Sequence, residues 1–203
     1  MISRSIAFVA SALLAAGINA AAAPAPVPAP AGVTDYSLDP SRSALKFLFK
    51  QAGADNQGRF GKISVTLRFA DTHLAASRLE VTVDVNSLNT GDDERDKILR
   101  GPELFDVAKF PQAHFKATKI ERVSAARYDA TGKLTLRDVT REVHVPFTFR
   151  TVTEKGTPAG YMSGHLTINR LDFGVGQGEW KATDQVANAV DVTFGLRFTP
   201  TAR

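Results

Sequence analysis

The stretch that decides the fold is "AVDVTFGLRF", residues 189–198, in which apolar and polar side chains alternate. Its apolar residues from Val190 to Phe198 fall on one face of an extended chain, and Asp191, Thr193 and Arg197 fall on the other. A period of two is typical of a β-strand with one dry face and one solvated face. The stretch therefore predicts a strand that covers a core on one side.

The same alternation recurs along the chain from residue 36 onward. Strands whose dry and wet faces differ typically form antiparallel sheets. Eight long strands of this kind can close into a barrel, which removes exposed strand edges. The sequence therefore predicts an all-β, eight-stranded antiparallel β-barrel, with a β-sandwich as the alternative. The further strands are predicted at "SALKFLFKQ" (43–51), "KISVTLRFA" (62–70), "RLEVTVDVN" (78–86) and "REVHVPFTF" (141–149), and more weakly at 113–120, 128–136 and 161–170.

One segment breaks the alternation: "GDDERDKILRGPELF", residues 91–105. Acids open it, where a helix dipole favours negative charge, and its apolar residues are spaced as on a helix. Gly101–Pro102 should end the helix, and Thr90 or Gly91 should cap its start. We expect one short helix near one end of the barrel, with surface acids. It either lines the interior or simply covers the core.

The first residues of the chain have the features of an export signal. Arg4 precedes an apolar run and then a series of small residues, which predicts a secretory signal peptide over residues 1–23. An uncleaved membrane anchor is the alternative. Residues 24–34 are rich in Pro and Ala and should form an extended linker. Residues 35–200 then form one domain.

Composition and motif spacing exclude several classes of site. The chain has no Cys, which removes disulfides and thiol chemistry, and its net charge of +4 is too mild to favour nucleic acid. His144 and His165 fall on polar strand faces, and a His site formed across strands stays open. The acids near residue 92 do not match a calcium loop, and "DFGVGQGEW" (172–180) lacks the Lys-Ser/Thr of a phosphate loop. We therefore predict no catalytic residues, no metal site and no cofactor.

The chain contains 13 Phe residues, and most of them fall on the dry faces of the predicted strands. These side chains either fill the barrel or line a pocket inside it. An eight-stranded barrel is close to the size at which both arrangements occur. Composition leaves the choice open.

Five segments in order resemble the YceI-like family, which comprises bacterial periplasmic proteins with a lipocalin-like barrel that bind polyisoprenoids or similar lipids. The chain departs from the family where many members have a His and this chain has Gln51, and in the turn Arg137-Asp138-Val139-Thr140, where the family commonly has Gly before Val-Thr. The ending "GEWKATDQVANAV" (178–190) is similar to a subgroup associated with b-type cytochrome membrane proteins. The matching segments are "YSLDPSRSALKF" (36–47), "GRFGKISVTLRF" (58–69), "LNTGDDERDKILRGPELFDVAKFPQAHF" (88–115), "GKLTLRDVTREVHVPF" (132–147) and "INRLDFGVG" (168–176).

The resemblance implies a periplasmic, non-enzymatic protein that sequesters or carries a polyisoprenoid, an isoprenoid quinone or a fatty-acid-like ligand. One alternative is an accessory protein that presents quinone to a membrane b-type cytochrome. Another is a filled barrel that acts only as an interaction module. The sequence leaves a membrane cytochrome partner and a homodimer open, and it does not favour a nucleic-acid partner.

We expect the ligand to contact inward-facing apolar side chains of the strands and of the helical segment. Arg59, Gln51 and Arg170 are candidates for contact with a polar head group. The predicted ligand-binding residues are Leu45, Phe47, Phe49, Phe60, Val81, Val83, Leu99, Leu104, Phe105, Phe115, Leu134, Phe147, Ile168, Phe173, Trp180 and Phe194.

Overall fold

The computed structural model describes residues 32–201. The predicted signal peptide, and the part of the predicted linker that precedes residue 32, lie outside this range. Within it, no helix is both long and apolar enough to cross a membrane. The strands are β1 (Thr34–Gln51), β2 (Ala54–Phe60), β3 (Ile63–Phe69), β4 (Arg78–Asp84), β5 (Leu88–Asn89), β6 (Gln112–Ser124), β7 (Arg127–Leu136), β8 (Val139–Glu154), β9 (Thr157–Asn169) and β10 (Val186–Pro200), and the α-helix is α1 (Asp93–Arg100).

The strands form one antiparallel sheet that closes on itself, because β10 pairs with β1 as well as with β9. Strands β2 and β3 follow one another along β1 and occupy one position in the wall. Strands β4 and β5 likewise follow one another beside them. The strand segments therefore make a closed eight-stranded barrel, and the fold predicted from the alternation is confirmed.

One end of the barrel is filled by aromatic side chains. The rings of Phe69 and Phe149 lie 4.6 Å apart, and Tyr128 stacks on Phe147 at 5.3 Å. Phe198 has no exposed surface at all. Burial of each such side chain is worth roughly 1.5–3 kcal/mol, so this end is a stable core. We call Tyr36, Phe69, Tyr128, Phe147, Phe149 and Phe198 the aromatic plug.

The N-cap residue of α1 and the contacts that anchor the helix differ from those that the sequence predicted. Its N-cap is Asp92, whose carboxylate accepts a hydrogen bond from the Arg95 N–H at 3.0 Å, so the prediction of Thr90 or Gly91 was wrong. Asp96 was predicted on the surface but is buried, 2% exposed. Its carboxylate accepts from both the N–H and the hydroxyl of Thr90, at 2.8 and 2.7 Å. Thr90 thus ties the helix to the end of β5 instead of capping it.

A charged cluster joins four strands near the end that holds the plug. The Glu154 carboxylate of β8 accepts hydrogen bonds from the Tyr161 hydroxyl, from Arg42 at 2.9 Å and from Arg197 at 2.8 Å. Arg197 also binds Asp39 of β1 at 2.9 Å. The bond from Tyr161, followed by those from Arg42 and Arg197, lowers the pKa of Glu154 from 4.5 to about 2.

This pKa shift predicts a defined loss of stability in acid. Because the folded pKa lies below the ordinary value, Glu154 stabilises the fold above pH 4.5 and loses that contribution as the pH falls toward 2. The difference in unfolding free energy between wild type and Glu154→Gln should therefore be largest above pH 4.5 and should shrink in acid. Urea unfolding across this pH range measures it. Glu142→Gln, an exposed acid on the same strand, is the matched control, and a wild type–Glu154→Gln difference that stays constant with pH contradicts the prediction.

Candidate functional site

A cavity of about 440 Å³ occupies the barrel between the aromatic plug and α1. This volume lies within the range of roughly 300–1,000 Å³ that small-ligand pockets have. Inward-facing residues such as Leu45, Val81, Leu134 and Phe194 are only half-buried, whereas the plug residue Phe198 is fully buried. The walls at this end therefore keep free apolar surface, and the lumen is not filled by its own side chains.

All but two of the predicted ligand-binding residues lie in the wall of this cavity. They come from most strands of the barrel and from the helical segment, as one shared inner face requires. Their contact with a ligand stays a prediction. The predicted residues that line the cavity are Leu45, Phe47, Phe49, Phe60, Val81, Val83, Leu99, Leu104, Phe105, Phe115, Leu134, Ile168, Trp180 and Phe194.

Phe147 and Phe173 do not line the cavity. Phe147 faces the barrel interior as predicted, but it lies in the plug, 3% exposed and stacked on Tyr128. Phe173 is also 3% exposed and packs with Leu104 and Val175 behind the cavity wall. Alternation tells which face of a strand a residue occupies, but it does not tell how far along the barrel axis the residue lies.

The sequence prediction missed several lining residues. Ile63, Val65 and Val192 belong to the same alternating stretches as the predicted residues, so the same pattern could have found them. Gly-rich and loop positions gave no such signal. The further apolar lining residues are Ile63, Val65, Leu79, Val85, Ile98, Ala113, Leu136, Val143, Val145, Met162, Leu166, Val175, Val186, Val190, Val192 and Leu196.

Phenylalanine rings lie against glycines in the wall, and this keeps the lumen open. The Phe47 ring covers Gly58 on the neighbouring strand, where an added Cβ would lie 2.2 Å from the ring. The Phe194 ring covers Gly164 in the same way, at 2.4 Å. Since these glycines carry no side chain, the rings can lie flat against the sheet and leave the centre of the barrel free.

Two segments close the end of the barrel opposite the plug. We call them the cap: α1 with the turn residues 101–108, and residues 170–181. The carbonyl of Glu103 in the first segment accepts hydrogen bonds from the N–H groups of Gly176 and Gln177 in the second, at 3.0 and 2.7 Å. The predicted helical segment therefore both covers the barrel end and lines its interior.

The polar part of the lining lies mostly at the cap. Gln51 is half-buried, and Asp92 and Glu94 are exposed at the start of α1, so the cavity reaches solvent beside them. Arg95 forms an ion pair with Asp92 at 3.5 Å. His114, on an outer strand face, also borders the cavity. The mouth is therefore polar while the lumen behind it is apolar.

Arg170 is the buried cation of the lining. It is 4% exposed, and its guanidinium donates to the carbonyls of Val175, Val186 and Ala187 at 2.8–3.0 Å. Burial lowers its pKa from the ordinary value. Gly176 makes room for it, because an added Cβ would lie 1.9 Å from Nη1 and the backbone there has φ +118°. Arg170 joins its own loop to the start of β10 and places a positive charge beside the cavity.

The other polar candidates lie outside the lumen. Arg59 points outward from β2 and is exposed, so it does not border the cavity. His144 and His165 are exposed on the outer wall, where they contact Asp129 at 3.0 Å and Asp191 at 3.3 Å. Among residues 32–201, no group of three or more His, Cys, Asp or Glu side chains is arranged to hold a metal.

Sequence comparison places most of the chain in a known family. Residues 36–198 match the model of the YceI-like domain. The UPF0312 protein of Vibrio parahaemolyticus is 32% identical over 147 residues, which cover 70% of this chain and 77% of that protein. A UPF0312 protein of Yersinia pestis is 36% identical over 112 residues, which cover 54% of this chain and 58% of that protein, less than two thirds of its length.

Solved structures of similar shape have the same barrel. Burkholderia cenocepacia BcnA superposes with a TM-score of 0.74 and 32% identity over 79% of this chain and 98% of its own. A polyisoprenoid binding domain from Saccharophagus degradans, implicated in plant cell wall breakdown, gives a TM-score of 0.64 and 19% identity over 83% of this chain and 99% of its own. The second likeness concerns the fold alone.

Arg137 connects the β7–β8 hairpin to the cap. It has φ +52°, a left-handed conformation that glycine adopts more readily than other residues. Its guanidinium donates to the carbonyls of Pro102, at 3.1 Å, and of Leu104, and lies 3.9 Å from Asp106. The strained backbone is therefore offset by contacts that hold the cap.

Two substitutions at this position separate the backbone strain from the side-chain contacts. Arg137→Ala keeps the left-handed strain and loses the contacts, so it should lower the unfolding free energy by about 1–3 kcal/mol. Arg137→Gly loses the same contacts but relieves the strain, so it should be more stable than Arg137→Ala by roughly 1–2 kcal/mol. Urea unfolding of the three proteins tests this, and equal stability of the two variants rules out strain at Arg137.

Proposed function

The chain belongs to the YceI-like family, and we propose that it is a periplasmic, non-enzymatic protein that holds a long apolar ligand inside its barrel. The ligand class is a polyisoprenoid, an isoprenoid quinone or a related long-chain amphiphile. The observation that carries this proposal is the apolar cavity of about 440 Å³ between the plug and the cap. The polyisoprenoid-binding domain with the same fold supports the ligand class.

Burial of an alkyl chain supplies the binding energy. Each buried CH₂ group contributes roughly 0.8 kcal/mol, so about ten such groups contribute roughly 8 kcal/mol. Immobilisation of the ligand and of side chains takes back several kcal/mol of this gain. Apolar contacts select for length and shape and discriminate weakly between head groups. The protein should therefore accept several isoprenoid and fatty-acid-like ligands.

Two of the three head-group candidates border the cavity. Gln51 lies at its mouth, and Arg170 lies in its wall. Arg170 has no carboxylate partner among the ion pairs of residues 32–201, so its charge is balanced only by carbonyl dipoles. We propose that an oxygen-rich ligand end, such as a quinone carbonyl or a carboxylate, lies toward Arg170 or Gln51.

The other functions considered from the sequence have less support. A filled interaction module requires side chains to occupy the lumen throughout, whereas Leu45, Val81 and Phe194 keep free surface toward the cavity. Presentation of quinone to a membrane cytochrome stays a proposal from the "GEW" ending, in which Trp180 lines the cavity. Copurification with a haem protein would favour that role.

The proposal predicts that bulk added inside the lumen abolishes binding. Val81 points into the cavity, so Val81→Trp fills part of it, whereas Thr82→Trp places the same side chain on the outer face. Native mass spectrometry should detect a lipid-sized adduct on wild type and on Thr82→Trp. Titration with a long-chain isoprenoid quinone, followed by fluorescence, should give binding for both and at least about tenfold weaker binding for Val81→Trp.

Three outcomes contradict the proposal. The first is a wild-type protein that carries no adduct and binds no quinone. The second is equal binding by the two tryptophan variants, which places any ligand outside the lumen. The third is turnover of the bound lipid by purified protein, which replaces the carrier with an enzyme. Circular dichroism spectra of both variants show whether the barrel is intact.

A further inference from the structure

The barrel wall has a gap between β1 and β3. Strand β1 pairs with β3 only over Thr34–Tyr36 and with β2 only over Leu45–Gln51. Residues 37–44 of β1 and residues 61–66 opposite them share no ladder pairs. On its other side β3 pairs with β4 from residue 63 onward without a break. The interruption therefore lies between β1 and β3 and does not come from a loss of strand structure in β3.

Strand β1 carries a bulge at the level of the gap, and local side-chain bonds fix it. The strand bulges after Asp39, where its register against β10 shifts. Pro40 cannot donate to a ladder, and the Asp39 carboxylate accepts from the N–H and the hydroxyl of Ser41 at 3.1 and 2.6 Å. The Ser43 hydroxyl donates to the Asp39 carbonyl at 2.7 Å and accepts from the Arg197 N–H at 3.0 Å. The bulge is thus fixed by its own sequence.

On the opposite side, the step from β2 to β3 is fixed by Ser87. The Gly61 N–H donates to the Ser87 carbonyl at 3.0 Å, and the Lys62 N–H donates to the Ser87 hydroxyl at 2.9 Å. These two N–H groups therefore point to the turn after β4 and not to β1. The bulge in β1 and the link between β2 and β3 therefore face each other across the gap, and each is fixed by its own hydrogen bonds.

The gap opens into a second cavity, of about 410 Å³. Neighbouring residues of a strand point alternately inward and outward, and both kinds line this cavity on both strands, so it passes through the plane of the wall. Ile63 and Val65 line both this cavity and the lumen, so the two cavities lie next to each other at these side chains. The lining consists of Asp35, Tyr36, Ser37, Leu38 and Pro40 of β1 and Ile63, Ser64, Val65, Thr66 and Leu67 of β3.

The aromatic plug blocks the lumen along the barrel axis. A chain longer than the lumen can therefore leave that end only through the side of the barrel. The Phe149 ring lies 4.6 Å from the Phe69 ring and 5.3 Å from the Tyr36 ring. A chain that extends from the cap toward the plug therefore meets packed aromatic side chains. The gap lies beside that point, because Tyr36 belongs to the plug and also lines the gap.

We propose that the gap between β1 and β3 is a lateral portal through which the tail of a long-chain ligand leaves the lumen. This inference rests on the proposed function and extends it to ligands whose chain is longer than the cavity. Leu38, Ile63 and Val65 contact the chain where it crosses the wall. The hydroxyls of Ser64 and Thr66 form the outer rim, where the tail meets solvent or another apolar surface.

Single cysteines can block the portal selectively, because the chain contains none of its own. Ser64→Cys places a thiol on the exposed rim of the gap. Lys46→Cys places one on the exposed face of β1, where β1 pairs fully with β2 through Arg59. Each variant is labelled with a bulky polyethylene glycol maleimide or with a small methylthio group. Binding is then measured for isoprenoid quinones with a short and with a long side chain.

The bulky label on Ser64→Cys should weaken binding of the long-chain quinone by at least about tenfold and leave the short-chain quinone unaffected. The methylthio group on Ser64→Cys, and either label on Lys46→Cys, should change neither. Equal binding of the long-chain quinone before and after labelling of Ser64→Cys overturns the portal and leaves the proposed function standing. Loss of both quinones overturns it as well, because the label then disturbs the barrel. Absence of binding by the unlabelled wild type contradicts the proposed function itself.

Discussion

The contact between phenylalanine rings and wall glycines is the constraint on which the open lumen depends. An eight-stranded barrel is narrow enough for large inward side chains to fill it. Phe47 and Phe194 avoid this because each lies over a glycine of the neighbouring strand, Gly58 and Gly164. The aromatic rings then form the wall of the cavity. They occupy the space where side chains would stand at the glycine positions, so the centre of the barrel stays free.

The two ends of the barrel use apolar side chains differently: one end packs them tightly, and the other leaves part of their surface free. At the plug, Phe69, Tyr128 and Phe149 contact each other and supply packing energy that the open lumen cannot supply. At the other end, the Glu103 carbonyl and the guanidinium groups of Arg137 and Arg170 form hydrogen bonds that hold the cap, and the apolar side chains beneath it keep free surface. Stability and ligand capacity are therefore separated along the barrel axis.

Alternation gave the strands and the face of each residue because every strand has one side on the lumen. It could not separate Phe147 in the plug from the lining, since depth along the axis depends on register between distant strands. The helix was predicted from its acids and its apolar spacing, but its cap was not, because Thr90 is used by Asp96, a choice set by the tertiary position of β5. The alternation gave no sign that Arg137 would donate to the cap carbonyls, because these contacts depend on how the β7–β8 turn meets the cap.

A nearly apolar lumen also limits what chemistry the barrel can perform. Acid–base catalysis needs a titratable group within hydrogen-bond reach of the reacting atom. Inside the lumen of the described chain, Arg170 is the buried charged group, and an arginine does not exchange protons near neutral pH. His144 and His165 lie on the outer wall and do not line the cavity, whereas His114 borders it. The proposed role, in which the barrel encloses a long chain by shape and apolar contact, is consistent with this lining.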